Sequence, residues 1–376
     1  TKLLNNLDKG TYNREFGVKI ANVEYERALS KQKLLQQRRR YTLFIMCLCF
    51  VMVSAIVSVA LFGLLRKRKL NGRLIEQNRE ISLKNAILNE SNAEILAQRE
   101  TIEAQRDSLE ETSLMLQSSI NYAKHIQDAV VTSHDAMSRM FGDTLIYWKP
   151  MNVVSGDFYW AFQRDNYKIL AVADCTGHGV PGAFMSMFAI SSLNSIVSPL
   201  SFTNIKASDV LDMLRGKVIG ELHQTSTSGD SIESVDMALC IIDTHKMQMQ
   251  YAGANRPLLI VRDGKVNVYK PDKMPVGLHV KRNGPFTNNI IGLRNGDILY
   301  MYTDGITDQF GSNGENVSSG KYTSKRLDSL LLNIVDKPFA EQADIIDKTI
   351  VDWRTMPDGT LIDQYDDQLL LGVRIC

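Results

Sequence analysis

The residues best suited to carry chemistry are four acidic spots. They are Gly156-Asp157 in VVSGDFYW, Asp174 in VADCTGHGVPG, Asp304 in YTDGITD, and the pair Asp366-Asp367 in YDDQLLL. Each opens or closes an apolar run that reads as a strand. Carboxylates at strand ends, beside glycines that permit tight turns, are placed to converge on one edge of a sheet. Carboxylate and carbonyl oxygens are hard ligands that suit Mg²⁺ or Mn²⁺. The five cysteines have neither metal-ligand spacing nor a disulfide framework, and no His or Cys cluster points to zinc. One Asp at a strand end is ordinarily a turn or cap residue. Four in apolar-strand contexts shift the reading toward a hard-cation site, although spacing alone does not show that they meet.

The elements that must position these acids are legible as periodicities. KILAVADC (168–175), DMALCIID (236–243), PLLIVRDGKVNVY with its Asp263-Gly264 turn, DILYMYTD (297–304) and QLLLGVRI (368–375) read as strands. GAFMSMFAISSLNSIV, ASDVLDMLRGKVIGELH and PFAEQADIIDKTIVDW have helical spacing. Strands interrupted by helical insertions predict an α+β layered domain.

Upstream, the texture changes twice. Tyr41 to Leu65 contains no charged residue. As a helix it is roughly 37 Å long, enough to cross a hydrocarbon core of about 30 Å with some tilt. This predicts a transmembrane helix, since core helices seldom stay apolar all round over such a length. Arg38–Arg40 flank one end and Arg66–Lys69 the other, so the charge rule for orientation is nearly balanced. Beyond the span, Leu74, Ile81, Leu88, Ile95, Ile102, Leu109 and Leu116 recur every seven residues, continued by Ala123. That register predicts a coiled coil. With these at d, the a column reads Asn78, Asn85, Asn92, Arg99, Arg106, Ser113 and Ile120, so one seam column is apolar and the other polar. Polar a residues favour an in-register pair at a cost in stability, which makes the coil a weak dimer able to re-pair, or else a solvated spacer. Residues 1–40 read as a polar helical segment, either the end of a repeat array or a juxtamembrane helix. The expected organisation is 1–40 extracytoplasmic helix, 41–65 span, 66–125 coiled-coil linker and 126–376 catalytic domain.

The 43 Lys+Arg against 42 Asp+Glu leave a net charge of +1, so there is no bulk electrostatic case for nucleic acid.

The stretches NVVSGDFYW, AVADCTGHGVPGAFMSM, YAGANRPL, YTDGITDQFG and DDQLLLGVRI, in this order, resemble the SpoIIE/RsbU branch of the PP2C-like serine/threonine phosphatases. The resemblance covers roughly residues 120–376. It implies an α/β/β/α sandwich, two Mn²⁺ or Mg²⁺ ions, and hydrolysis of phosphoserine or phosphothreonine by a metal-activated water. Matched motif to motif, Asp174 would bridge the two metals, Asp157 and the backbone carbonyl of Cys175 would serve one, and Asp304 and Asp366 the other. Asp367, Gly177 and Gly305 are secondary positions. Cys175 is not read as a nucleophile, because no cysteine-phosphatase signature accompanies it. His178 is read either as a general acid for the leaving oxygen or as a residue shaping the turn. The arginine that grips phosphate in many relatives has no evident counterpart. Lys149 is a candidate substitute, against its alternative as a solvated surface lysine. The loop 310–322, rich in Gly, Ser and Asn, is read as a flap or an inert insertion.

The resemblance further implies a phosphorylated regulatory protein of the STAS, anti-sigma-antagonist type as substrate. With it come a single-pass plasma-membrane location, a cytoplasmic catalytic domain and a homodimer through the coil. The rival is a degenerate phosphatase domain serving as a dimeric membrane scaffold, against which the retention of every expected acidic ligand argues. A metal-dependent nucleotide cyclase is a third reading, disfavoured because no nucleotide-recognition motif accompanies the acids.

Overall fold

The computed structural model describes residues 4–199, 205–225, 233–279, 284–312 and 320–376, with side chains from residue 14 onward. The chain divides into two compact units, Thr1–Asp107 and Ser108–Cys376. One continuous helix, α1 (Leu4–Val130), contributes to both. In the first unit it carries the apolar stretch 41–65 and most of the heptad register. Its apolar side chains face outward there: Phe50 is 76% and Ile81 54% exposed.

After the final turns of α1 the second unit continues with α2 (His134–Phe141), β1 (Thr144–Lys149), β2 (Phe158–Arg164) and β3 (Tyr167–Cys175). Next come α3 (Gly179–Val197), α4 (Ala207–Glu221), β4 (Val235–Asp243), β5 (Gln248–Ala254), β6 (Leu258–Arg262) and β7 (Lys265–Tyr269). The chain closes with β8 (Asn289–Gly292), β9 (Ile298–Tyr302), α5 (Asp304–Thr307), β10 (Phe310–Gly311), β11 (Gly320–Lys321), α6 (Ser324–Ile334), α7 (Phe339–Arg354) and β12 (Gln368–Arg374). Two five-stranded sheets form, in the orders β1-β12-β9-β6-β7 and β2-β3-β4-β5-β8, and every pairing within them is antiparallel. Helices α3 and α4 pack on the second sheet, α6 and α7 on the first. The expected α/β/β/α sandwich is therefore the observed architecture.

Strand period explains the layering. In β12, Leu369, Leu371 and Val373 belong to the core between the sheets, whereas Leu370 faces the layer containing Leu327, Leu331 and Ile346. β9 does the same, with Leu299 and Met301 inward and Tyr300 and Tyr302 toward the helices. Alternate residues of a strand point to opposite faces, so a strand buried on both sides must be apolar throughout. Gly372 occurs in β12 because a Cβ there would lie 3.0 Å from both Leu145 and Tyr300. The apolar helix α3, although long enough to pass as a span by composition, is a core helix that buries Ile190, Leu193 and Val197. Of the loop 310–322, residues 313–319 lie outside the described residues.

Candidate active site

The acidic spots reach one edge of the sandwich because of strand direction. Asp157 immediately precedes β2, Asp174 lies near the end of β3, Asp304 follows β9 and Asp366-Asp367 precede β12. Antiparallel pairing of β2 with β3 and of β9 with β12 puts these ends together. Asp174, Asp304 and Asp366 line one cleft of about 240 Å³ with Cys175, Thr176, Gly177, His178, Ser234 and Asp236. Asp236 is a carboxylate that the sequence reading missed. Its signal was available: it opens β4 and pairs in register with Asp174.

Asp157 is 2% exposed, and its carboxylate accepts a 2.6 Å hydrogen bond from the Thr303 hydroxyl. Thr303 also receives the Leu369 amide at 3.0 Å, so it links the end of β9 to the start of β12 beneath the acids. Burial, and then the charge of Asp174, push the Asp157 carboxyl well above the usual carboxylate range. Burial raises Asp174 likewise, against the opposing pull of Arg256. Asp366 and Asp236 are also raised, chiefly by burial.

The two residues of the Asp pair part company. Asp366 faces the cleft. Asp367 is buried, and its carboxylate accepts the backbone N–H groups of Met151 at 2.6 Å and Gly156 at 2.7 Å. It fastens the loop that carries Asp157.

The glycines serve close backbone approach. A Cβ on Gly156 would sit 2.6 Å from the Gly177 carbonyl oxygen, and one on Gly305 would sit 1.9 Å from the Asp367 carbonyl oxygen. Gly177 and Gly179 have φ of +85° and +66°, which carry the chain around His178 into α3. His178 is exposed at the cleft, and its Nδ1 lies 3.0 Å from the Asn152 side-chain nitrogen. Cys175 is buried, and burial together with the Asp174 charge holds its thiol well above its ordinary range, in keeping with a non-nucleophilic side chain.

Lys149 is not among the residues lining the cleft. Its ammonium pairs with Asp347 on α7 and lies 5.7 Å from the centre of the Tyr147 ring. The cation at the site is Arg256, from the YAGANRPL stretch. Its Nη2 donates to Asp304 at 2.6 Å, Asp174 at 2.9 Å and Asp236 at 3.1 Å, and the side chain is 9% exposed. No local pattern marks this arginine, because its three partners lie 20, 48 and 82 residues away.

Among the described residues, no three His, Cys, Asp or Glu side chains form a ready-made cation cage. The donor set nevertheless fits a hard divalent cation. Its members are carboxylate oxygens, crowded and partly dehydrated, with a single guanidinium offsetting their charge. Crowded like charges of this kind are what a bound cation relieves.

The profile of stage II sporulation protein E matches residues 164–375, more than half of the chain. The chain belongs to the SpoIIE family. Among solved structures, the SiaA-PP2C domain of Pseudomonas aeruginosa is 26% identical, with a TM-score of 0.60, and the match covers 70% of this chain and 99% of that one. The PP2C phosphatase domain of SpoIIE from Bacillus subtilis, solved with a fragment of its regulatory domain, is 20% identical at a TM-score of 0.48, covering 62% of this chain and 61% of that one. The RsbU and RsbW domains of a Mycobacterium tuberculosis protein are 19% identical at 0.47, covering 62% and 59%. No curated protein matches the chain. The SpoIIE-family domain of this chain is thus a phosphatase domain of PP2C fold, as the motifs implied.

Proposed function

We propose that this SpoIIE-family chain is a membrane-anchored, metal-dependent protein phosphatase acting on phosphoserine or phosphothreonine of a cytoplasmic regulatory protein of the STAS type. The observation that carries the reading is the gathering of Asp174 of β3, Asp236 of β4, Asp304 of α5 and Asp366 of the loop before β12 in one cleft. Two Mn²⁺ or Mg²⁺ ions would be held by Asp157, Asp174, the Cys175 carbonyl, Asp304 and Asp366. Such ions, when bound, lower the pKa of water and offset phosphoryl charge.

The chain's own residues have separable tasks. Thr303 and Asp367 hold the Asp157 loop in place through the hydrogen bonds described above. Arg256 offsets the charge of the acids. His178 lines the cleft, a position from which its imidazolium form would protonate the leaving seryl or threonyl oxygen. Residues 41–65 form the span, 66–125 a coil that pairs with a second copy, and 126–376 the cytoplasmic enzyme. The span is supported by a charge-free apolar stretch whose side chains are all exposed within one helix.

The test is hydrolysis of p-nitrophenyl phosphate by the full chain in detergent, with and without Mn²⁺. Turnover is expected only with the cation, and Asp174→Ala or Asp304→Ala should lower it at least about a hundredfold, since even loss of a supporting group at a metal site costs 10–100-fold. Metal-independent or absent turnover, unchanged in both variants, would favour the scaffold reading. Phosphoproteomic comparison of wild type with Asp304→Ala then nominates the substrate.

A further inference from the structure

The motif that supplies Asp304 runs on into a residue with no part in the chemistry described above. In YTDGITDQFG, Gln309 follows the end of α5 by two positions and is 0% exposed. A buried carboxamide is costly unless its donors and acceptor are engaged. Those of Gln309 are engaged mostly with one distant segment. Its Nε2 donates to the Asp363 and Phe310 carbonyl oxygens, each at 3.1 Å. Its Oε1 accepts the Tyr365 N–H at 3.2 Å and the Gln368 side-chain N–H at 3.1 Å. The base from which the side chain reaches is itself fixed, since the Gln309 carbonyl oxygen accepts the Trp353 indole N–H and the Tyr322 N–H, each at 3.0 Å.

The segment so held, 363–368, carries Asp366 directly after Tyr365. Gln368, 1% exposed, extends the link: its Nε2 also donates to the Gly305 carbonyl oxygen at 3.4 Å, and its Oε1 accepts the Tyr147 hydroxyl at 3.2 Å. Gly305 is the neighbour of Asp304. Two buried carboxamides in series therefore bridge the turn that bears Asp304 and the loop that bears Asp366. Gln342 on α7 provides the contrast. It is equally buried, and its carboxamide is satisfied by the Val335 and Lys337 carbonyl oxygens and the Tyr300 hydroxyl, none of which belongs to a residue lining the cleft.

We propose that Gln309 is a positioning residue: its carboxamide sets the span between Asp304 and Asp366, so that the two carboxylates meet the cleft at the separation one cation requires. The inference rests on the phosphatase reading for the cation, and on geometry alone for the brace. Ligands of a metal site must be held to within roughly 0.5 Å of the productive arrangement. Residues 362–367 lie outside every helix and strand, so side-chain hydrogen bonds must supply that constraint.

The test compares Gln309→Met with Gln342→Met in the full chain in detergent, since both changes keep side-chain length while removing a buried carboxamide. Gln309→Met should raise amide exchange at Tyr365 about tenfold, the equivalent of one lost hydrogen bond, and lower Mn²⁺ affinity measured by calorimetry about tenfold. Gln342→Met should lower the melting temperature of the sandwich to a similar extent, with Tyr365 exchange and Mn²⁺ affinity as in wild type. Gln368→Met, which removes the second carboxamide of the bridge, should weaken Mn²⁺ binding in the same direction, and it carries the test should Gln309→Met fail to fold. Wild-type Mn²⁺ affinity in the folded Gln309 or Gln368 variant, or an equal loss in Gln342→Met, would overturn the proposal. If the wild type shows neither Mn²⁺ binding nor Mn²⁺-dependent turnover, the phosphatase reading fails, and exchange at Tyr365, set against Gln342→Met, judges the brace by itself.

Discussion

The two units of this chain use apolar residues in opposite ways. In the sandwich, large side chains such as Phe158, Leu170, Leu214 and Leu331 are at most 1% exposed, closed in by two sheets and their helices. Along α1 in the first unit, residues of the same types are open: Leu48 is 49%, Phe62 68% and Leu88 59% exposed. Free energy from apolar burial is available to the sandwich within one chain, whereas the helix can obtain it only from a bilayer or a second chain.

This contrast can be broken or sharpened by experiment. The largest effect is expected at the acid cleft. Arg256→Met removes the one cation shared by Asp174, Asp236 and Asp304, and should lower the stability of the metal-free protein by about 3–5 kcal/mol, as for other broken buried ion pairs. Thermal melting with and without Mn²⁺ checks it, and the deficit should shrink when the cation is present. In the closed core, Leu214→Ala should cost about 2–5 kcal/mol. Leu88→Ala, by contrast, should move the melting of the sandwich by less than about 0.5 kcal/mol. Equal effects of the two leucine changes would erase the distinction between the units. Val53→Arg, in the middle of the apolar stretch, should disfavour insertion by about 2.5–3.5 kcal/mol, read as loss of membrane-fraction protein. Smallest of all, Asn85→Leu should tighten self-association severalfold in sedimentation measurements, and no change would speak against position 85 lying in a seam.

Much of the sandwich was legible because its strands are short apolar runs with acids and glycines at their ends. The β3, β4, β9 and β12 segments were expected within a residue or two of their observed bounds, and so were α4 and α7, while α3 starts three residues before the expected segment. β1, β2, β5 and β8 were not singled out. β8 has only four residues, and β2 begins directly after the Gly156-Asp157 motif, with no turn signal between them. Within the site, Asp174, Asp304 and Asp366 were expected and share the cleft. Asp236 is the site acid with no motif of its own in the sequence, and only the register between β3 and β4 sets it opposite Asp174. Lys149 and Arg256 exchanged importance for a reason of distance in sequence. Lys149 is adjacent to the motif of Asp157 yet turns to Asp347, while Arg256 arrives from the loop between β5 and β6.

By itself the sequence determined the features that repeat or run locally. These are the charge-free stretch 41–65, the seven-residue spacing beyond it, the strand period, and the acids beside glycines, since each is set by neighbours within a few residues. Only the tertiary structure decided which polar groups meet. Asp367 turning to Gly156 across 211 residues, Arg256 settling among three carboxylates and Gln309 holding Asp363 all depend on long-range packing. Burial makes such hydrogen bonds obligatory, but which partner satisfies each group is fixed by the way the layers close.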